Sequence, residues 1–180
     1  MRNSSMRPPT GDEIIKLNRF KKNILAAWET YNGSFVNKRI TYVTESMRIV
    51  LICKKSNFMH LCGIDYFDHN NKRFYSDCKK KHLFFRIDNL MIKKDGNTFR
   101  KLKILGLLDA LLIKDKIRIN GQTISYYSNY DYIVRSRKSL TGLGCNYGKG
   151  YYYPSSILNL KFEDFNAGEI VKKIIIDELN

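Results

Sequence analysis

One histidine stands inside an apolar segment, residues 57 to 64, which reads Asn-Phe-Met-His-Leu-Cys-Gly-Ile. A neutral imidazole is the side chain best suited to moving protons near pH 7, and Gly63 permits close backbone approach. His60 is therefore a candidate general base. The alternative is a hydrogen-bonded core histidine, which is the more common situation for a lone histidine on an apolar segment. His69 and His82 lie beside charged residues and are weaker candidates.

A group of cations opens the leucine-rich segment that begins near Thr98. Arg100, Lys101 and Lys103 stand close to the start of a predicted helix, where a positive charge interacts unfavourably with the helix dipole. As a group they form a candidate phosphate-binding surface, with Lys101 or Arg100 able to stabilise charge on a phosphorane. The alternative is a solvated helix face, the usual location of lysine and arginine.

A third candidate segment, residues 151 to 156, reads Tyr-Tyr-Tyr-Pro-Ser-Ser. It combines ring faces for stacking with hydroxyls that can donate to a phosphate, which makes Tyr153, Ser155 and Ser156 candidate contacts. The alternative is an edge strand that ends at Pro154, followed by a short helix that Ser155 caps.

The chain of 180 residues carries a net charge of +15, which favours a polyanionic partner. Residues 72 to 103 contain eleven basic residues and only three aspartates. Gly148-Lys149 lacks the serine or threonine that follows in a P-loop, so we reject an NTPase. The residues expected to contact an RNA backbone are Lys79, Lys80, Lys81, Arg100, Lys103 and Lys149.

Neither an HExxH motif nor a CxxC pair occurs, and no carboxylate cluster stands ready to hold two magnesium ions. We therefore expect no metal and no cofactor. The four cysteines have no regular spacing and are interpreted as reduced thiols. The longest apolar run, residues 104 to 113, is interrupted by Asp109, so we expect a soluble cytoplasmic protein without a membrane partner.

Thr10 and Glu13 have the spacing of a capping box, which predicts a helix that ends at Asn32-Gly33. Two strands follow, over 38–44 and 47–53, and the histidine segment is taken as a further strand with His60 and Cys62 on one face. Helices are predicted over 70–81 and 98–113, the second with Thr98 as a possible N-cap. Short segments over 117–119, 123–128, 131–137, 140–147 and 150–153 predict an antiparallel meander, and residues 167–179 a closing helix or strand.

These elements predict an α+β fold. We expect a flexible N-terminus over residues 1–9 and a single domain over residues 10–180.

Short motifs in the chain together resemble one family. They are residues 57–64, Phe74-Tyr75, Lys101-Leu102, and residues 152–158, which read Tyr-Tyr-Pro-Ser-Ser-Ile-Leu. Over roughly residues 40 to 160 the chain resembles the phage-associated branch of the Barnase, EndoU, colicin and RelE-like nucleases. The histidine motif of that family, Asn-Phe-x-His-Leu-x-Gly, is matched in every fixed position, and the Pro-Ser segment more loosely.

The resemblance implies N-terminal helices packed on an antiparallel, roughly four-stranded sheet with additional short strands. It also implies metal-independent cleavage of RNA in phage conflict or toxin systems. By the resemblance, His60 is the general base or acid and Lys101 stabilises the phosphate. Ser155 or Ser156, with Tyr153, contacts the phosphate. The 2′-hydroxyl would attack the adjacent phosphate to give a cyclic phosphate.

Two other classes of protein remain open at this point. The first is a non-catalytic, basic nucleic-acid-binding or regulatory protein of phage or mobile-element origin. The second is a protein inhibitor or structural phage component whose basic face docks on an acidic partner. If the chain is a ribonuclease, its activity would harm the host cell, so we expect a neutralising antitoxin or immunity partner.

Overall fold

The computed structural model describes residues 5–121, 129–136, 141–161 and 167–179. The helices are α1 (Gly11–Ser34), α2 (Asn57–Cys62), α3 (Asn71–Lys79) and α4 (Asn97–Ile104), and α4 continues into a 3₁₀ segment (Leu105–Leu112). The strands are β1 (Met6–Arg7), β2 (Lys38–Val43), β3 (Arg48–Ile52), β4 (Ile64–Tyr66), β5 (Leu90–Lys93), β6 (Ile117–Gly121), β7 (Tyr132–Ser136), β8 (Thr141–Gly148), β9 (Tyr151–Asn159), β10 (Glu169–Ile170) and β11 (Lys173–Glu178).

The larger of two sheets has the strand order β10-β6-β7-β8-β9-β3-β2-β11. Strands β6 to β9 pair antiparallel in sequence order, which confirms the predicted meander. The strand predicted over 123–128 lies outside the described residues. The sheet is wider than the roughly four strands expected, because β3 adds to β9 in parallel and brings β2 and β11 with it. The α+β class is confirmed.

The smaller sheet has the order β1-β5-β4 and is antiparallel. Met6 and Arg7, which lie in the predicted flexible N-terminus, form β1 and pair with Lys93 and Ile92. Arg7 also makes a 2.7 Å ion pair with Glu13 at the start of α1. The segment before α1 therefore runs along the edge of β5. The domain boundary at residue 9 stays a prediction.

Helix α1 begins with the predicted capping box. The Glu13 amide donates to Thr10 Oγ1 at 3.3 Å, and the Thr10 amide donates to Glu13 Oε2 at 2.9 Å. The predicted end at Asn32-Gly33 is wrong, because the helix continues through Gly33 to Ser34. The carbonyl of Tyr31 accepts from the amides of Phe35 and Val36, and burial of both side chains fixes the end there.

The histidine segment is a helix and not the strand that the sequence suggested. The apolar residues of α2 recur at helical spacing, Phe58 with Leu61 and Met59 with Cys62, and all four are buried. His60 lies on the opposite, exposed side, so His60 and Cys62 do not share a face. Gly63 ends the helix in the left-handed conformation, with φ of 68°.

The predicted helix over 98–113 is divided in two. Residues Leu102, Leu105, Leu108 and Leu111 are buried at a spacing of three, which suits a 3₁₀ helix better than an α-helix. Gly96, not Thr98, is the N-cap residue of α4. The fully buried Thr98 hydroxyl instead donates to the Gly63 carbonyl at 2.6 Å and accepts from the Lys93 amide at 3.0 Å. This hydroxyl joins α4 to the end of α2 and to β5.

Strand β9 continues past Pro154 and lies between β8 and β3, so it is neither an edge strand nor followed by a helix that Ser155 caps. Gly144 pairs with Ser156 and Cys145 pairs with Pro154, which leaves Ser155 as an extra residue in a bulge. A bulge accommodates proline inside a sheet and redirects the side chain of the extra residue.

We predict that Thr98→Val lowers the free energy of unfolding by about 1–3 kcal/mol. The reason is that the Gly63 carbonyl and the Lys93 amide would each lose a hydrogen-bond partner inside the protein. Chemical denaturation measures this change. Thr98→Ser is the matched control, since it keeps the hydroxyl, and should retain most of the stability that Thr98→Val loses. Equal stability of Thr98→Val and wild type would contradict the bridging role.

Candidate active site

A cavity of about 160 Å³ lies where α2, β4, β5, α4 and β9 meet. The polar side chains that line it belong to His60, Asp65, His69, Lys93, Lys101 and Ser155. A neighbouring cavity of about 400 Å³ shares Lys93, Lys101 and Ser155 with it and adds Arg100 and Ser156. The structure thus places His60, Lys101 and Ser155, three predicted site residues from distant parts of the sequence, around one cavity.

His60 lines this cavity from the exposed side of α2. Neighbouring groups partly desolvate its ring, and this effect, followed by the positive charge of Lys101, lowers the pKa of His60 below its usual value of 6.5. The neutral imidazole therefore predominates at pH 7. A neutral imidazole can accept a proton from a bound hydroxyl.

Lys101 reaches the cavity from α4 and ends at the carboxyl end of α2. Its Nζ donates to the His60 carbonyl oxygen at 3.3 Å. Burial, followed by repulsion from Lys93, lowers the pKa of Lys101 to about 8. The ammonium group is thus still mostly charged at pH 7, but it has lost much of its hydration. A partly desolvated cation interacts strongly with an anion that enters the cavity.

Gly63 makes this position of Lys101 possible. A Cβ atom at Gly63 would lie 2.8 Å from Lys101 Cδ, so the lysine stem packs directly against the glycine backbone. The left-handed φ of Gly63 also favours glycine. The close approach expected at this glycine is therefore made by the side chain of Lys101.

Ser155 is the predicted hydroxyl that lines both cavities. With the Asn146 amide oriented to donate to the carbonyls of Asn129 and Cys145, its oxygen accepts from Ser155 Oγ at 3.1 Å. Ser156 lines the larger cavity, and its buried hydroxyl donates to the Ile157 carbonyl at 3.2 Å. Tyr153 is exposed beside Gly148 and lines neither cavity.

The predicted RNA-binding cations lie in several places. Arg100 lines the larger cavity, whereas Lys103 is exposed on α4 and lines neither of the two. Lys149 is exposed in the turn between β8 and β9. The remaining three lie at the end of α3 or just after it, away from both cavities: Lys79, Lys80 and Lys81.

Asp65, which was not among the predicted site residues, and His69, one of the two weaker histidine candidates, both line the smaller cavity. His69 Nδ1 lies 2.7 Å from Asp65 Oδ2, and Asp65 is buried. The sequence carries one signal of this pair, an aspartate four residues before a histidine. That spacing gave no reason to expect a buried carboxylate, because the burial of Asp65 depends on the small sheet.

The cavity combines groups that transfer protons with groups that bind anions. The imidazoles belong to His60 and His69, the ammonium groups to Lys93 and Lys101, and the hydroxyl to Ser155. In the part of the chain that the structure describes, no group of three or more His, Cys, Asp or Glu side chains could hold a metal ion. No helix among those residues is long and apolar enough to cross a membrane.

Imidazoles and ammonium groups around one cavity are typical of enzymes that act on phosphate esters, and the α+β fold with a strongly basic chain fits a nuclease. The chain belongs to the family described as phage-Barnase-EndoU-ColicinE5/D-RelE like nuclease4, whose profile matches residues 23–176. The family resemblance seen in the sequence is thereby confirmed, and membership of this nuclease family indicates a nucleic-acid substrate. No curated protein and no solved structure matches the chain.

We predict that Lys101→Met makes the protein more stable at pH 7. The pKa of Lys101 falls from 10.5 to about 8 on folding, so keeping this lysine charged in the native state costs about 3 kcal/mol. Methionine keeps an apolar stem against Gly63 without that cost, so we expect a gain of about 1–3 kcal/mol in the free energy of unfolding.

The gain should depend on pH in a defined direction. Below pH 8 the lysine is protonated in both states and the full cost is present; as pH rises from about 8 to 10.5, the native state loses its proton first and the cost disappears. Denaturation at pH 7 and pH 9.5 therefore should show a smaller difference at the higher pH. Lys103→Met, at an exposed position of the same helix, is the control and should gain little. A destabilised Lys101→Met would contradict this account.

Proposed function

We propose that this protein is a metal-independent endoribonuclease of a phage-conflict or toxin system. It cleaves RNA by attack of a ribose 2′-hydroxyl on the adjacent phosphate, which gives a cyclic phosphate and a 5′-hydroxyl. The observation that carries the proposal is the convergence of His60 and Lys101 on one cavity, with Lys101 Nζ on the His60 carbonyl at 3.3 Å.

His60 acts as the general base in this proposal. Its lowered pKa keeps the imidazole neutral at pH 7, and its exposed position in the lining of the cavity allows contact with a substrate hydroxyl. A base is needed because the 2′-hydroxyl is a poor nucleophile until its proton is removed. Since DNA lacks this hydroxyl, it should not be cleaved.

Lys101 stabilises the negative charge that develops on the phosphorane, and Ser155 turns its hydroxyl from the Asn146 side-chain oxygen to donate a hydrogen bond to a phosphate oxygen. Both side chains line the same cavity as His60, and Lys93 adds a second ammonium group there. These protein cations supply the charge stabilisation that magnesium ions supply in metal-dependent nucleases. Asp65 is the one carboxylate among the described residues that line this cavity, which makes a magnesium site at this point unfavourable.

The flanking RNA runs over the larger cavity, where Arg100 contacts its backbone, and the buried Ser156 forms part of the cavity wall. Lys79, Lys80, Lys81, Lys103 and Lys149 contribute to the general attraction of the polyanion. Tyr153, exposed on β9, offers a ring for stacking. A neutralising protein partner belongs to the proposal, because such an activity would damage the RNA of its own cell.

The test is a gel of end-labelled RNA incubated with the protein in excess EDTA. Wild type should give discrete fragments with cyclic phosphate ends, and a deoxyribose at the cleavage position should prevent the cut there. His60→Ala should lower the rate by about 100- to 10,000-fold, because the general base is lost. Lys101→Met should lower it by about 100- to 1000-fold, because the phosphorane loses a stabilising cation.

His82→Ala is the matched control for the histidine, since His82 is exposed and lines neither cavity. It should cleave like wild type. Full activity of His60→Ala would refute the assigned base. A shift of intact RNA that weakens with salt, without cleavage, would instead support the non-catalytic nucleic-acid-binding protein.

A further inference from the structure

The ring of His69 is held by a single buried carboxylate. Asp65, on β4, is 7% exposed and uses both of its oxygens on this histidine. Oδ2 lies 2.7 Å from His69 Nδ1, and Oδ1 accepts from the His69 backbone amide at 2.6 Å. Because Nδ1 faces Asp65, Nε2 is the nitrogen available to a substrate. The side chain is 57% exposed, so a substrate can reach it.

The backbone that carries His69 has an unusual conformation. Phe67, Asp68 and His69 have φ values of 46°, 51° and 66°, so three successive residues other than glycine are left-handed. Each such residue costs roughly 1 kcal/mol or more, and such strain concentrates at functional sites. Hydrogen bonds from the Phe67 amide to the Asn89 carbonyl and from the Asn70 amide to the Tyr66 carbonyl hold the turn. The turn brings His69 to the wall of the cavity that contains His60.

The two imidazoles of this cavity are held differently. A carboxylate bonded to Nδ1 fixes the orientation of an imidazole, as Asp65 does for His69. The ring of His60 has no such hydrogen-bonded carboxylate among the described residues, and the positive charge of Lys101 acts on it more strongly than the charge of Asp65 does. With His60 as the base, His69 Nε2 is the second imidazole nitrogen at the cavity and can serve as the proton donor. In-line displacement at phosphorus needs both functions.

We propose that His69, oriented by Asp65, is the general acid of the cleavage reaction. This inference rests on the proposed function. The 2′-oxygen forms a bond to phosphorus as His60 takes its proton, and the bond from phosphorus to the 5′-oxygen breaks as His69 Nε2 donates a proton to that oxygen. His69 becomes neutral and His60 becomes positively charged, so charge and protons balance. Asp65 is a positioning residue, since it acts through His69.

The experiment compares two dinucleotide substrates in EDTA. One has the natural 5′-oxygen, and the other has sulfur in that bridging position. A thiolate leaves without protonation, so loss of a general acid should matter for the first substrate alone. His69→Asn is the informative variant, because asparagine tolerates the left-handed backbone and its amide can still donate to Asp65. The control is His82→Asn.

We expect His69→Asn to cleave the oxygen substrate about 100- to 10,000-fold more slowly than wild type and the sulfur substrate less than about 10-fold more slowly. Asp65→Asn should show the same selectivity with a smaller loss. His60→Ala should cleave both substrates much more slowly than wild type does. The cleavage rates of the two substrates separate the acid from the base, because loss of the base slows both substrates and loss of the acid slows only the oxygen substrate. A misfolded or destabilised variant would also cleave both substrates more slowly by the same factor.

An equal loss on both substrates in both His69→Asn and Asp65→Asn would overturn the inference, and so would wild-type rates for His69→Asn. In either case the proposed function survives if wild type cleaves RNA and His60→Ala does not. If wild type cleaves neither the dinucleotides nor the end-labelled RNA, the proposed function fails and the general acid is refuted with it.

Discussion

The candidate site depends on the contact between the Lys101 stem and the backbone of Gly63. This contact places a charged nitrogen at the carboxyl end of α2, beside the histidine that the same helix carries. This contact requires a residue without a side chain at position 63. It also requires α4 to have a fixed position relative to α2. The Thr98 hydroxyl supplies that second requirement, because it binds the Gly63 carbonyl and the Lys93 amide together. The end of α2, strand β5 and the start of α4 are thereby joined through the Thr98 hydroxyl.

This arrangement places groups that destabilise the folded protein around one cavity. The positive charge of Lys101 is partly desolvated, and three residues before α3 are left-handed. The cost is offset by a large core that α1, α2 and the 3₁₀ segment share with the large sheet. A nuclease that uses protein cations needs such a concentration of charge, because an ammonium group in bulk water interacts weakly with phosphate.

Local signals in the sequence predicted the elements that local chemistry determines. The capping box at Thr10 sets the start of α1, and the short apolar segments between turn-forming residues in the sequence predict β6 to β9. Helix α2 was assigned wrongly because six residues give too short a window for periodicity, although Phe58 and Leu61 carry helical spacing. The residue types at positions 60 and 101 suggested their chemistry, but their proximity follows from tertiary packing. The place of Ser155 at the cavity depends on a register shift between β8 and β9, and the orientation of His69 depends on the buried Asp65. Neither is encoded in a short motif.

The most direct test of this account is a crystal structure with an oligonucleotide that carries deoxyribose at the cleavage position and therefore stays intact. We expect one phosphate to lie in the smaller cavity, with Lys101 Nζ and Ser155 Oγ within hydrogen-bond distance of its oxygens. The rings of His60 and His69 should lie near the 2′-carbon and the 5′-oxygen, respectively. A nucleic acid bound elsewhere on the protein, with this cavity empty, would contradict the account.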